Sequence, residues 1–533
     1  MKPQSNIIVF SLTTPSEALA LAINAIKDND ITTYCLSTHL LFDKEREKIQ
    51  QHCNKKLCFV SFYEFLSQEE MEYCDGEADK VVLEKYGTRE DKLTQYYKAI
   101  KRLKNETVYK NLADKYDLKE KILLADDLGI DKDVWKGHDF EERITHDYEH
   151  IKPVRKVRKK KPFLQRVFSE NAIIKVGGKK YYFYGSINRV KQYLDDDKAI
   201  IAQIPRWEKI LLYIIKKLCK KTLLYKRRNA KKPYHLFNVL AHTASSVLKA
   251  IKGYNVYDII APIHEDNDIY GYMTLFLGNT MAYLQDGFLP SYYPSVYLKY
   301  RIWADRYFVW DDLSKGIFER HGLKHEKWEG FRKMPLLPVE HVSRPLKKAV
   351  FLSSGTGDWT ALKNRSDEDL AFMAFVEAAR KNPHIQFVYR PHPLWLHPNH
   401  QGVRSIDRII EYAKEIALPN FVVSDGAKKE GENFIKDGEV SMAPTTIKEE
   451  MKTSDIIFGD HSQTLLTSAQ QGKIIASVSL VKRKEFFYDY TNIGFPILRS
   501  AEDISDFINK VENDKNFVEE YNKAVKRYNE RYA

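Results

Sequence analysis

The stretch KKAVFLSSGTGDWTALKNRSDEDL, residues 347–370, decides how the chain is read. An apolar, β-favouring run feeds a small turn of Gly355, Thr356 and Gly357, and the turn is followed by a carboxylate, Asp358. Such a run reads as a strand that ends by presenting a side chain at the edge of a sheet. Asp, Gly and Thr are also ordinary turn residues, so the turn by itself does not make Asp358 a reacting group. The other strands, and what stands at their ends, have to decide.

Runs of the same kind recur with helical patterns between them, the signature of parallel α/β layers. In the first half they are NIIVFSL (6–12), TTYCLST (32–38), KLCFVSF (56–62), YDIIAPI (257–263), MAYLQDG (281–287) and RYFVWDD (306–312). In the second half they are KAVFLSS (348–354), IQFVYRPH (385–392), FVVSDG (421–426), DIIFGD (455–460) and KIIASVSL (473–480). Between the halves, KMPLLPVEHVSRPLKK holds three prolines and no clear period, which predicts a linker near 335–346. The pattern predicts two Rossmann-like domains. The first covers 1–340 and is interrupted by a large, charged, mostly helical insertion at about 64–250. The second covers 341–515, and a last helix, 516–533, crosses back to brace the first domain.

Length and charge agree with this division. A chain of 533 residues is too long for a single core. Its 43% hydrophobic and 13% aromatic content is enough for well-packed units rather than extended disorder. Lys and Arg number 85 against 73 Asp and Glu, a net charge of +12, which points to an anionic partner. Five cysteines, at 35, 53, 58, 74 and 219, are few and odd in number. His52, Cys53 and Cys58 have no matching distal pair for zinc, so reduced thiols in a cytoplasmic protein are expected. The opening MKPQSNIIVFSLTTPSEALALAINAI reads as strand, turn and helix rather than an export signal, and no segment approaches the ~20 apolar residues of a membrane span.

Two tracts in the insertion stand out. IKPVRKVRKKKPFLQR (151–166) is densely basic. RWEKILLYIIKKLCKKTLLYKRRNAKK (206–232) sets Trp207, Ile210, Leu211, Ile214, Ile215 and Leu218 at helical spacing, with Lys216, Lys217, Lys220, Lys221, Lys226, Arg227 and Arg228 crowding its end. A basic amphipathic helix can lie on an anionic membrane surface, and the same pattern is also a buried stripe with a solvated basic face. A nucleic-acid partner is not expected, because RRM, KH and helix-turn-helix signatures are missing and the basic residues sit in one insertion.

Three groups of reactive residues stand just beyond strands of the second half, where open α/β sheets place their ligands. Asp358 is the first. The second is Arg390, His392 and Pro393 in VYRPHPLWLHPNH, where a fork-shaped charge and a ring held between prolines suit phosphate or carboxylate oxygens. The third is His461, Ser462 and Thr464, which open a helix after DIIFGD. Hydroxyls and free N–H groups there can hold a phosphate or simply cap the helix. No acids with metal-ligand spacing appear, so metal-independent chemistry without a cofactor is expected.

This arrangement, an HP motif followed some 60–70 residues later by a strand and a hydroxyl-rich helix start, resembles bacterial glycosyltransferases that use CMP-activated sugar acids. The resemblance implies the GT-B fold, with the two Rossmann-like domains facing across a cleft. It assigns the CMP phosphate to His392, Ser462 and Thr464. The D/E-D/E-G motif that carries the base in the sialyltransferases is matched in part by Gln285-Asp286-Gly287, with Gln in place of the first acid. GTGDW, 34 residues before the HP histidine, is similar to the retaining β-Kdo transferases of O-antigen and capsule synthesis. In that family an Asp of the donor domain forms a covalent Kdo–enzyme intermediate, which implies Asp358 as nucleophile and Asp286 as base.

The resemblance covers the second half and, in the first half, residues 257–325; the insertion matches no family. The implied partners are a CMP sugar acid and a lipid-linked glycan acceptor, at the inner face of the membrane. The CDP-glycerol phosphotransferases of teichoic-acid synthesis share the HP and hydroxyl motifs, and an inverting CMP-sialic acid transferase is the other alternative.

Overall fold

The structure is a computed structural model of the chain. It describes residues 2–10, 16–27, 30–37, 41, 43–53, 55–85, 89–124, 130–143, 171–184, 194, 201–228, 235–252, 257–262, 267–285, 304–320, 322–329, 331, 335–340, 342, 345–353, 365–392, 405–424, 447–459, 463–480 and 494–532. Among them, the strands form three sheets, and the architecture is α/β.

The first sheet contains β1 (Gln4–Phe10), β2 (Thr32–Ser37), β3 (Leu57–Ser61), β4 (Asp117–Leu124) and β5 (Glu141–Glu142), in the order β3-β2-β1-β4-β5 and parallel throughout. The second contains β6 (Asn171–Val176), β7 (Lys179–Tyr184), β8 (Ile201–Gln203), β9 (Asp258–Pro262), β10 (Met281–Leu284), β11 (Arg306–Val309) and β12 (His325–Lys327). Its order is β12-β11-β10-β9-β7-β6-β8; β7 and β9 to β12 run parallel, and β6 runs against both β7 and β8.

The third sheet contains β13 (Lys348–Leu352), β14 (Gln386–Arg390), β15 (Phe421–Val423), β16 (Ile456–Gly459), β17 (Ile474–Val478) and β18 (Ile497–Leu498). Its order is β15-β14-β13-β16-β17-β18, again parallel throughout. Strands covered on both faces need apolar residues at every position, and β16 (IIFG) and β17 (IIASV) are buried along their whole length.

Three sheets stand where the sequence predicts two, and residues 64–250 are not a wholly helical insertion. Strands β1–β3 and β9–β11, expected in one sheet, belong to two. Within 64–250, β4 and β5 complete the first sheet, and β6, β7 and β8 extend the second. β4 reads DLKEKILL, so its charged first half hides a strand of which only Ile122, Leu123 and Leu124 are buried. The β6–β7 pair is a hairpin turning through Gly177 and Gly178 at φ of 54° and 78°. A two-residue hairpin turn with both central residues left-handed is open to glycine almost alone.

The helices Gln68–Lys85 and Arg89–Lys115 connect β3 to β4. The second of them has 27 residues, about 40 Å at the α-helical rise. Its first half carries Tyr96 and Ile100 into the core of the second sheet, beside Tyr182, Tyr283 and Tyr307. Its second half carries Val108 and Leu112 into the core of the first, beside Ile7, Val9 and Leu123. One helix thus supplies two cores.

The expected last helix is two helices, Ala501–Asn513 and Phe517–Tyr532. Asp514 ends the first with extended backbone, and its Oδ1 accepts from the Asn516 N–H at 2.9 Å. The described contacts of the final helix are with the third sheet and the linker, not with the first domain. Tyr521, Ala524, Val525 and Tyr528 join the third core, together with Leu336, Val339, Val342 and Leu346 of the linker. Asn529 accepts from the Leu336 N–H and donates to the Leu336 carbonyl, both at 2.8 Å. Asn522, two turns earlier on the same face, does the same for Val339 at 2.8 and 3.0 Å.

Candidate functional site

The carboxyl edge of the third sheet gathers the sequence-predicted donor residues that fall in described parts of the chain. β13 lies between β14 and β16, and its last residue, Leu352, pairs with Arg390 on one side and Gly459 on the other. With strands about 4.8 Å apart, three strand ends form a row about 10 Å wide. From β13 the chain moves outward to β14 and β15, then returns to the other flank for β16. That reversal is a topological switch point, the position at which open α/β sheets bind ligands.

The row is closely packed. A methyl group on Gly459 would lie 2.9 Å from the Leu352 carbonyl oxygen and 3.3 Å from Cγ of Leu465, so only glycine lets β16 approach β13 here. Ser353 is buried, and its N–H donates to the Arg390 carbonyl at 3.0 Å. Arg390 is itself buried at the strand end. His392 is half-buried two residues on, after buried Pro391, and Thr464 is half-buried in the first turn of the helix Gln463–Ala469. Asp358, Pro393, His461 and Ser462 lie outside the described residues, as does the basic tract 151–166.

The acceptor-side prediction falls at the end of β10 in the second sheet. Asp286 and Gly287 lie outside the described residues, but Gln285 is fully placed and is 1% exposed. Its N–H donates to the Phe308 carbonyl at 3.1 Å. Its Oε1 accepts from the Trp310 N–H at 2.9 Å, and its Nε2 donates to Ser314 Oγ at 2.9 Å. The indole Nε1 of Trp310 donates to the Gln285 carbonyl at 2.9 Å. The amide therefore ties the end of β10 to the end of β11 and to the helix Asp312–Arg320.

Sequence reading passed over Asp311 in the same cluster. Its carboxylate accepts from the Ser314 N–H at 2.7 Å, capping that helix, and burial holds its pKa above the usual aspartate value. The signal available in the sequence is the Asp-Asp pair that closes RYFVWDD. The five cysteines are free thiols. Burial pushes Cys219 up to about 12 and also raises Cys53, whose Sγ lies 3.8 Å from the Ala20 carbonyl.

No protein-family model and no curated protein matches the chain. Among solved structures it is similar to a glycosyltransferase from Rickettsia africae ESF-5, at 13% identity over 57% of this chain and 79% of that one, with a TM-score of 0.34. It is also similar to a variant of the O-GlcNAc transferase of Thermobaculum terrenum, at 8% identity over 99% of this chain and 65% of that one, with a TM-score of 0.28. The glycosyltransferase SnogD from Streptomyces nogalater matches at 13% identity over 55% of this chain and 72% of that one, with a TM-score of 0.27. Scores this low fall short of a shared fold, and they fix neither donor nor acceptor for this chain.

Proposed function

We propose that the chain is a glycosyltransferase that moves Kdo, or a related sugar acid, from its CMP donor to a lipid-linked surface glycan. Transfer proceeds with retention of configuration through a covalent intermediate on Asp358. The observation that carries this reading is the strand order of the third sheet. The segments that bear Asp358, His392 and Ser462 leave three adjacent parallel strands at the switch-point edge.

In this reading the Arg390 guanidinium, permanently charged, and His392 hold the phosphate charge of the leaving CMP, helped by Ser462 and Thr464. The Asp358 carboxylate attacks the anomeric carbon, the bond to the phosphate oxygen breaks, and CMP departs with the electron pair. The acceptor hydroxyl then attacks the same carbon, gives its proton to Asp286 and releases the Asp358 carboxylate. Two inversions restore the starting configuration.

The test is to incubate the protein separately with CMP-Kdo, CMP-sialic acid and CDP-glycerol and to follow CMP release and intact mass. CMP release from CMP-Kdo, with a sugar-sized adduct on the 353–365 peptide, is expected. Asp358→Asn removes the adduct and costs several orders of magnitude in rate. Turnover of CDP-glycerol alone, or full turnover by Asp358→Asn, overturns the reading.

A further inference from the structure

We propose that the paired helices Arg206–Arg228 and His235–Lys252 form a docking surface for an anionic lipid bilayer. Residues 206–252 contain thirteen Lys and Arg and one acid, Glu208, a net of +12; the whole chain also carries +12, so the rest is neutral in sum. The net charge that marks this protein as basic thus resides in one helical pair. Glu208 is fully buried on the sheet side of its helix, against the Tyr182 hydroxyl, so no carboxylate of this pair faces outward.

The apolar residues divide into two faces. Leu212, Ile215 and Cys219 continue the inward face from Glu208 and pack into the core of the second sheet, as do Ala241 and Leu248 of the partner helix. Trp207, Ile210 and Ile214, spaced by three and four residues, remain 40%, 43% and 41% exposed. On the second helix, Leu240, Val247 and Ile251 repeat at helical spacing and are also exposed, joined by Val239.

The core is therefore already supplied, and these outward apolar residues are additional to it. Exposed Lys217 and Lys220 accompany them, whereas Lys216 is committed to the Tyr270 hydroxyl at 2.7 Å. Among the described residues no helix is long and apolar enough to cross a membrane, so the pair lies on a bilayer rather than spanning it. Outward aliphatic and indole groups beside unopposed lysines match the acyl boundary and anionic headgroups of such a surface. The surface stands independently of the donor chemistry proposed above.

The experiment is co-sedimentation of the full chain with vesicles of phosphatidylcholine alone or mixed with phosphatidylglycerol, at low and high potassium chloride. Binding to the mixed vesicles, weakened by salt, is expected, with little on phosphatidylcholine alone. Lys217→Gln with Lys220→Gln should lower partitioning about 25-fold, at about fivefold per lysine. Ile210→Ser with Ile214→Ser should weaken it as well, which a purely electrostatic contact would not show. Circular dichroism and melting curves matching the parent establish that both variants are folded. Failure to bind mixed vesicles overturns the proposal, as does binding that neither pair of substitutions changes, or a preference for RNA or an acidic protein with no vesicle binding.

Discussion

Replacing Gln285 with Glu restores the first acid of the motif that Gln285-Asp286-Gly287 matches only in part, and the structure states what that costs. The new side chain is isosteric. One oxygen still accepts from the Trp310 N–H, and Ser314 Oγ can rotate to donate to the other. What changes is a charge at a position 1% exposed, with the Asp311 carboxylate bonded to the same Ser314 residue. Burial and a like charge both push the pKa of the introduced carboxyl upward. A shift of roughly two to three units at about 1.4 kcal/mol each predicts a loss of about 3–4 kcal/mol once the pH is well above the folded pKa.

The sign follows from a raised folded pKa. Stability is fully present below the unfolded glutamate value and is lost as pH rises through the folded one. Denaturant unfolding at pH 4 and pH 8 should therefore give a variant near the parent at the lower pH and strongly destabilised at the higher. Gln285→Leu instead leaves the buried Trp310 N–H without its acceptor and should lose about 1–3 kcal/mol at both pH values. A Gln285→Glu protein as stable as the parent at pH 8, with only KM for acceptor changed, would refute a structural role and return Gln285 to the acceptor.

Gly459→Ala should lower stability by about 1–3 kcal/mol in the same assay, because the Leu352 backbone cannot retreat from a methyl group 2.9 Å away. Binding of CMP, followed by calorimetry, should weaken in parallel, since the strand-end row is displaced. Asn522→Ala and Asn529→Ala each remove two hydrogen bonds to the linker. Each should cost about 2 kcal/mol and should speed proteolysis within 335–346; unchanged cleavage would mean that the linker is held by its apolar residues alone.

Parallel strands buried on both faces announce themselves as apolar runs, and for that reason β1–β3, β9–β11 and β13–β17 are legible in the sequence. β4 escapes notice behind its Lys-Glu-Lys segment, and β5, β8, β12 and β18 are only two or three residues long. The β6–β7 hairpin was open to reading, since IIKVGGKKYYFY sets two glycines between β-favouring runs. Missing those strands is what merged two sheets into one expected domain. At the site, Arg390, His392 and Thr464 follow from the rule that ligands gather beyond strand ends. The commitment of Gln285 could not follow, because its partners Trp310 and Ser314 are 25 and 29 residues away and are set by the packing of β11. The outward face of residues 206–232 was equally hidden. Spacing selects an apolar stripe, but only the packed core shows that Leu212, Ile215 and Cys219 fill it and leave Trp207, Ile210 and Ile214 outside.

The helix Arg89–Lys115 bears on how such a protein can be assembled from parts. A unit ending near residue 143 would take Tyr96 and Ile100 with it, stripping the second sheet of core side chains while leaving those side chains bare on the excised piece. A unit beginning near residue 171 would be short of the same residues. Recombination that exchanges one of these sheets for a foreign counterpart therefore damages both, and the pair is inherited as a single module, whereas a joint at 335–346 cuts only the linker's own seat on the third sheet.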